Sequence, residues 1–214
     1  MTLVKVCGIR TLAEGRTALQ AGANMLGLNF WQPSKRYIAP AQAALIVSEL
    51  RRESLDWSAV GVFADPSLDE VETASALCGL DYVQLSGEEA PDFARRMPLP
   101  TLKAIHVRTG QEREAADTVL DDNYAAHAYL LDTHTKELPG GSGITFDWQA
   151  LREIGPRCLM AGGLRPDNVA TAIATLSPLG VDVASGVEFP SGGKDPRLVR
   201  AFVEAVRNYD RQPR

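Results

Sequence analysis

The chain has 214 residues, 45% of them hydrophobic, and 27 acidic against 22 basic side chains give it a formal charge of -5. That is enough for one well-buried domain, at the short end for an eight-unit barrel, and the acidic balance argues against nucleic acid or an anionic membrane as partner. No secretory pattern and no run of roughly 18 apolar residues occurs, and Cys7, Cys78 and Cys158 have neither metal nor redox spacing, so a reducing, cytoplasmic setting is expected.

In chain order, β-rich runs are predicted at Leu3–Val6, Met25–Phe30, Ala59–Phe63, Tyr82–Leu85, Thr101–Ile105, Ala128–Leu131, Cys158–Ala161 and Val181–Ala184. Most of the gaps carry helical apolar spacing and helix start signals. Thr11 with Glu14, and Ser67 with Glu70, fit the capping box, in which hydroxyl and carboxylate satisfy each other's free amides. Pro40, Pro166 and Pro196 suit first-turn positions, where the missing N–H costs nothing, and Asp195 suits the last N-cap. In that last helix Leu198, Val199, Phe202, Val203 and Val206 share one face. The weakest helical patterns follow the fourth and fifth strands, around Asp92–Arg96 and Gln111–Leu120.

Strands joined by crossovers of this length run parallel, and parallel sheets are covered on both faces. Eight units predict closure into a single-domain (β/α)8 barrel, the TIM-barrel architecture, over residues 1–214; an open doubly wound sheet is the rival.

Three glycine-rich stretches follow consecutive late strands: Gly140-Gly141-Ser142-Gly143, Gly162-Gly163, and Ser185-Gly186. Glycine brings backbone N–H groups close to a ligand, and phosphate sites in barrels are built from these last loops. Ser142 and Ser185 add hydroxyl donors. A single Gly-Gly makes a tight turn; three on neighbouring loops point to a phosphate.

Cys7, Arg36 and Asp132 fall at or just after strand ends on the same face. Cys7 precedes Gly8, which leaves its sulfur open towards the mouth. Asp132 ends the apolar run Tyr129-Leu130-Leu131, where a buried, unpaired carboxylate is expensive. Arg36 offers a fork for a carboxylate. Each also has a plainer reading, as a small buried hydrophobe, a turn cap and a solvated cation respectively; their shared position favours chemistry. His106, His127 and His134 have no metal-ligand spacing, and no metal is expected. His127 reads as structural. His106 and His134 are within reach of the mouth, His106 read as satisfied structure. Trp31 is the tryptophan nearest to a ligand role.

The stretches Lys5-Val6-Cys7-Gly8-Ile9, Ser34-Lys35-Arg36-Tyr37, Val83-Gln84-Leu85, Leu131-Asp132-Thr133, Gly140-Gly141-Ser142-Gly143, Ala161-Gly162-Gly163-Leu164 and Asp182-Val183-Ala184-Ser185-Gly186-Val187-Glu188 resemble those of phosphoribosylanthranilate isomerases, and the likeness runs on to Asp195. The resemblance implies a cofactor-free Amadori rearrangement in tryptophan biosynthesis, with Cys7 as general base and Asp132 as general acid. It also implies that Arg36 meets the anthranilate carboxylate, while Gly141, Ser142, Gly143, Gly162, Gly163, Ser185 and Gly186 hold the phosphate of a small soluble substrate. Cationic groups or amide dipoles are expected to help Cys7, though Lys5, two residues deeper, is not an obvious one. Ser86 is expected to touch substrate and is the departure from the pattern, because the family usually has histidine there; Lys35 stands where many relatives have proline. The alternatives are a histidine-pathway phosphosugar isomerase, for which a carboxylate in place of Cys7 is normal, a dual-substrate enzyme, or a non-catalytic barrel that binds a phosphorylated ligand. A monomer and a homodimer are equally compatible with the sequence.

Overall fold

In the computed structural model, which describes residues 1–53, 56–133 and 148–212, eight parallel strands close into a barrel in the order of the chain. They are β1 (Leu3–Cys7), β2 (Met25–Asn29), β3 (Ser58–Phe63), β4 (Tyr82–Leu85), β5 (Thr101–Val107), β6 (Ala128–Thr133), β7 (Cys158–Ala161) and β8 (Gly180–Val183). The open-sheet alternative is excluded by pairing of β1 with β8, Lys5 opposite Asp182.

The intervening helices are α1 (Leu12–Ala21), α2 (Pro40–Glu53), α3 (Leu68–Cys78), α4 (Pro91–Ala94), α5 (Glu112–Asp121), α6 (Trp148–Ile154), α7 (Val169–Leu176) and α8 (Pro196–Asp210). Both predicted capping boxes form, at Thr11/Glu14 and Ser67/Glu70. Asp195 caps α8, whose buried face is Val199, Phe202, Val203 and Val206, with Leu198 partly buried. Pro40 and Pro196 occupy first-turn positions as expected. Pro166 does not: α7 begins at Val169. Asn168 closes the preceding turn instead, its Oδ1 accepting from the Arg165 N–H at 2.7 Å, so that the proline lies in the turn and not in the helix. Of the two weak patterns, the one after β4 yields a helix of only four residues, whereas α5 forms a full ten.

Strand alternation divides the core in two. Outward residues such as Val4, Val6, Leu26, Leu28, Val83 and Leu131 pack against the helices. Inside the barrel, Met25, Val60, Leu102, Ala128 and Leu159 form an apolar floor, with Ala104, Leu130 and Ala161 clustered separately from it. The interior is not wholly apolar, for Lys5, Gln84 and Asp182 are buried there too. The α8 end returns to the start of the chain: Asp210 accepts from Thr2, and Arg207 donates to the Thr2 carbonyl at 2.7 Å. No described helix is long and apolar enough to cross a membrane.

Candidate active site

A cavity of about 430 Å³ opens at the C-terminal ends of the strands. Arg36, Ser86, Asp132, Gly162, Gly163, Ser185 and Gly186 line it, together with Gln84, His106 and Asp182. Gly141, Ser142 and Gly143 lie outside the described residues, as does His134. The expected Trp31 contact is not with this cavity: the ring is on a separate one, lined also by Phe30, Tyr37 and Phe63. His127 is away from the mouth, with its ring centroid 5.3 Å from that of Tyr82.

Gly162 and Gly163 both have positive φ, 89° and 64°, which lets the chain reverse tightly after β7. Gly186 is required by space: a Cβ there would stand 1.8 Å from the Leu164 carbonyl oxygen. The loops after β7 and β8 are therefore in backbone contact, and the two candidate phosphate loops form one surface.

Cys7 ends β1 and pairs in register with Gly27 of β2. A Cβ on Gly27 would come within 2.7 Å of the sulfur, so the thiol fills the space that this glycine leaves. It is less open than its place before Gly8 suggested, at 8% exposure. Lys5, two residues earlier on the same strand, is buried with it, and its ammonium donates to Asp182 Oδ1 at 2.9 Å. Burial pushes this ammonium down, but Asp182 and Cys7 together hold it above the ordinary lysine value. The depth argument against Lys5 is thereby weakened: although two residues below the cysteine, its charge is within electrostatic reach of the thiol.

Arg36 lies against Gly8 and places Nε and Nη2 on Glu188, at 2.6 and 2.9 Å. Lys194 approaches the same carboxylate at 2.9 Å. Burial pushes Glu188 up, yet the hydrogen bonds from Arg36 and Lys194 outweigh it and bring its pKa to about 2. A carboxylate held lower in the folded than in the unfolded chain adds stability above its ordinary value of 4.5, and that stability is lost as pH falls from there towards 2. Thermal melting followed through that window should show the parent losing more stability than Glu188→Gln; parallel curves would contradict the assignment.

Asp132 sits at the end of β6 facing the mouth, and its side chain is one-third exposed, 33%, not buried as the apolar run before it implied. Nor is it unpaired. His106 is its register partner on β5, and Nδ1 stands 3.5 Å from Asp132 Oδ2. The other ring nitrogen, Nε2, is 3.1 Å from the Ser86 carbonyl oxygen. Hydrogen bonding to Asp132 raises the His106 pKa, burial lowers it, the Ser86 carbonyl raises it again, and the net shift is upward. Ser86 itself receives a hydrogen bond on Oγ from Gln84 Nε2 at 3.0 Å, and the buried Gln84 Oε1 has no partner among the described residues. His106 was read from sequence as satisfied structure; the register of β5 on β6, invisible in either strand alone, makes it part of the mouth.

Around the ring, the acid candidate is on β6, the glycine loops follow β7 and β8, the thiol is on β1, and Arg36 follows β2. Asp132 and the two glycine loops line the cavity together, whereas Cys7, buried at the end of β1, is not among the residues that line it.

Comparison with known proteins agrees with this geometry. The family model described as N-(5'phosphoribosyl)anthranilate (PRA) isomerase matches residues 4–205. A curated relative of that name from Geobacter sp. (strain M21) is 46% identical over 209 residues, covering 97% of this chain and 98% of its own. Another from Syntrophus aciditrophicus (strain SB) is 41% identical, covering 98% and 89%. Among solved structures, phosphoribosyl anthranilate isomerase from Thermotoga maritima superimposes with a TM-score of 0.84 at 34% identity, covering 97% of this chain and all of the other. A further structure of such an isomerase, in complex with reduced 1-(o-carboxyphenylamino)-1-deoxyribulose 5-phosphate, gives a TM-score of 0.83 at 31% identity, with coverage of 97% and 100%.

Proposed function

This chain belongs to the N-(5'-phosphoribosyl)anthranilate isomerase family and is an isomerase acting on a phosphoribosyl substrate, and from that premise we propose that Asp132 and Cys7 are the acid and base of an Amadori rearrangement. The substrate is N-(5'-phosphoribosyl)anthranilate and the product is 1-(2-carboxyphenylamino)-1-deoxyribulose 5-phosphate. The observation that carries this reading is the order around the barrel: Asp132 on β6 and the loops after β7 and β8 line one cavity, and Cys7 ends the neighbouring strand β1.

Asp132 delivers a proton to the furanose ring oxygen. The bond from that oxygen to the first sugar carbon breaks, and the nitrogen lone pair forms the C=N bond of a protonated Schiff base. The Cys7 sulfur then takes the proton from the second carbon, and the freed C–H electron pair becomes the C=C bond of an enolamine, neutralising the nitrogen. The enolamine gains a proton at the first carbon and loses one from its hydroxyl to give the ketone. Transfer back from sulfur to carboxylate, through solvent, restores the enzyme.

The remaining groups hold the substrate still. Backbone around Gly162, Gly163, Ser185 and Gly186 receives the phosphate, and Gly141, Ser142 and Gly143 are assigned to the same anion from sequence. Arg36 uses one edge of its guanidinium for Glu188. Its Nη1 corner is the part assigned to the anthranilate carboxylate. Lys5 is held by Asp182 and places a fixed positive charge within electrostatic reach of the Cys7 sulfur, which favours the thiolate before substrate arrives.

Steady-state turnover of N-(5'-phosphoribosyl)anthranilate, backed by complementation of a tryptophan auxotroph lacking this isomerase, tests the assignment. Turnover of only the histidine-pathway intermediate would overturn it. For the binding end, Arg36→Ala should raise KM by on the order of 10- to 100-fold, the worth of a charge-assisted hydrogen bond, with a smaller change in kcat. An unchanged KM would remove the carboxylate role.

A further inference from the structure

We propose that His106 is the proton-holding partner of Asp132, so that imidazole and carboxyl together carry the single proton that the ring oxygen receives. The proposal rests on the assignment of Asp132 as general acid and adds a positioning residue to it.

The geometry assigns the role through both ring nitrogens. The Ser86 carbonyl is an acceptor only, so the nitrogen facing it at 3.1 Å, Nε2, must carry a hydrogen. Nδ1 is then the nitrogen that gains and loses a proton, and it is the one that faces Asp132 Oδ2 at 3.5 Å. Two forms of the pair are compatible with this arrangement: a neutral carboxyl donating to neutral Nδ1, and a carboxylate accepting from protonated Nδ1. They have the same net charge and the same proton count. A free aspartate facing water at neutral pH has lost the proton it is meant to deliver, whereas either form of the pair carries one, and hydrogen bonding to Asp132 moves its loss to higher pH than for an ordinary imidazole. The 3.5 Å separation is the loose spacing that catalytic contacts show before substrate closes them.

The surroundings favour the pair. Both side chains are about one-third exposed, 38% and 33%, so the proton can be replaced from solvent after each turnover. Lys103, on the same strand, opposes protonation of His106, but its ammonium is engaged by Glu89 and the Gly87 carbonyl, each at 2.7 Å. Arg108 and Glu114 line the cavity on one side of His106 with Glu88, while Arg36 and Asp182 line the active-site cavity on the other. Asp132 is the carboxylate whose hydrogen bond and charge act to raise its pKa.

In the reaction, the one shared proton passes through Asp132 to the ring oxygen as the ring bond breaks, crossing from Nδ1 to the carboxylate first where the imidazolium holds it, and Asp132 is left as the carboxylate. His106 is then neutral and takes its next proton from water, while Cys7 releases to water the proton it removed from the substrate. Nothing is oxidised or reduced.

Two measurements test this. In the first, kcat and KM of His106→Gln and His106→Ala are followed across pH. The pair loses its proton as pH rises past the raised value of His106, so parental kcat should fall on the alkaline side. Both variants should lose on the order of 10- to 100-fold in kcat at neutral pH, less than loss of the acid itself. KM should stay within about twofold, the alkaline limb should move, and free imidazole should restore part of the rate to His106→Ala. A parental kcat with an unmoved limb overturns the proposal, and so does a fall in kcat with the limb unmoved and no response to imidazole, which is the mark of a structural role. The second measurement needs no change at residue 106: the imidazole is titrated by NMR in the parent and in Asp132→Asn, where its pKa should drop. Identical titrations overturn the proposal. Parental turnover by Asp132→Asn would instead displace the general acid itself, a separate failure.

Discussion

Asp132→Asn should lower kcat by on the order of 10³-fold with KM little changed, a loss of about 4 kcal/mol of transition-state stabilisation. The amide keeps the size and polarity of the carboxyl but cannot hand a proton to the ring oxygen, so the C–O bond must break towards a bare alkoxide. The position of the side chain makes the variant a clean one. Asp132 is one-third exposed at the end of β6 and, among the described residues, holds no buried network together, so folding should be retained. The measurement is steady-state turnover alongside thermal melting. An asparagine variant with parental kcat would show that the acid lies elsewhere.

Cys7→Ser should cost a similar or larger factor, on the order of 10³ or more in kcat. Thiol and hydroxyl differ by little in volume, and the space left by Gly27 accepts either. What differs is basicity at neutral pH: an ordinary thiol supplies a few per cent of its anion, while an alcohol supplies essentially none. Lys5 would stay held by Asp182, so binding and fold should be retained while proton removal from the second carbon fails. If deuterium at that carbon is still lost to solvent at the parental rate, the base is another group.

The barrel was legible because its punctuation is local. Capping boxes at Thr11 and Ser67 and the runs Tyr82–Leu85 and Cys158–Ala161 need no information from elsewhere in the chain, and they appear where sequence places them. Pro166 was misplaced because two local signals compete there, and the side-chain turn made by Asn168 prevails over a proline-led helix. Within the site, Cys7, Arg36 and Asp132 could be named from their places at strand ends. Their partners could not. Glu188 meets Arg36 across 152 residues, Asp182 meets Lys5 across 177, and His106 meets Asp132 only through strand register. Such contacts depend on how the ring closes and how far a side chain reaches, neither of which is written in the alternation of one strand.

The Lys5–Asp182 pair also bears on how the molecule is assembled. Lys5 is on the first strand of the barrel and Asp182 is on the last, and both are buried. An ammonium cannot be sealed in an interior without its counter-charge except at a penalty of several kcal/mol. The first strand of the barrel must therefore keep its lysine wet until β8 arrives, and the seam of the ring becomes the last place to dry. Because that lysine is also within electrostatic reach of Cys7, the thiol acquires its final surroundings only once β8 has paired with β1. A truncated or stalled product lacking β8 would carry the cysteine without its setting, and closure itself acts as the step that arms the enzyme.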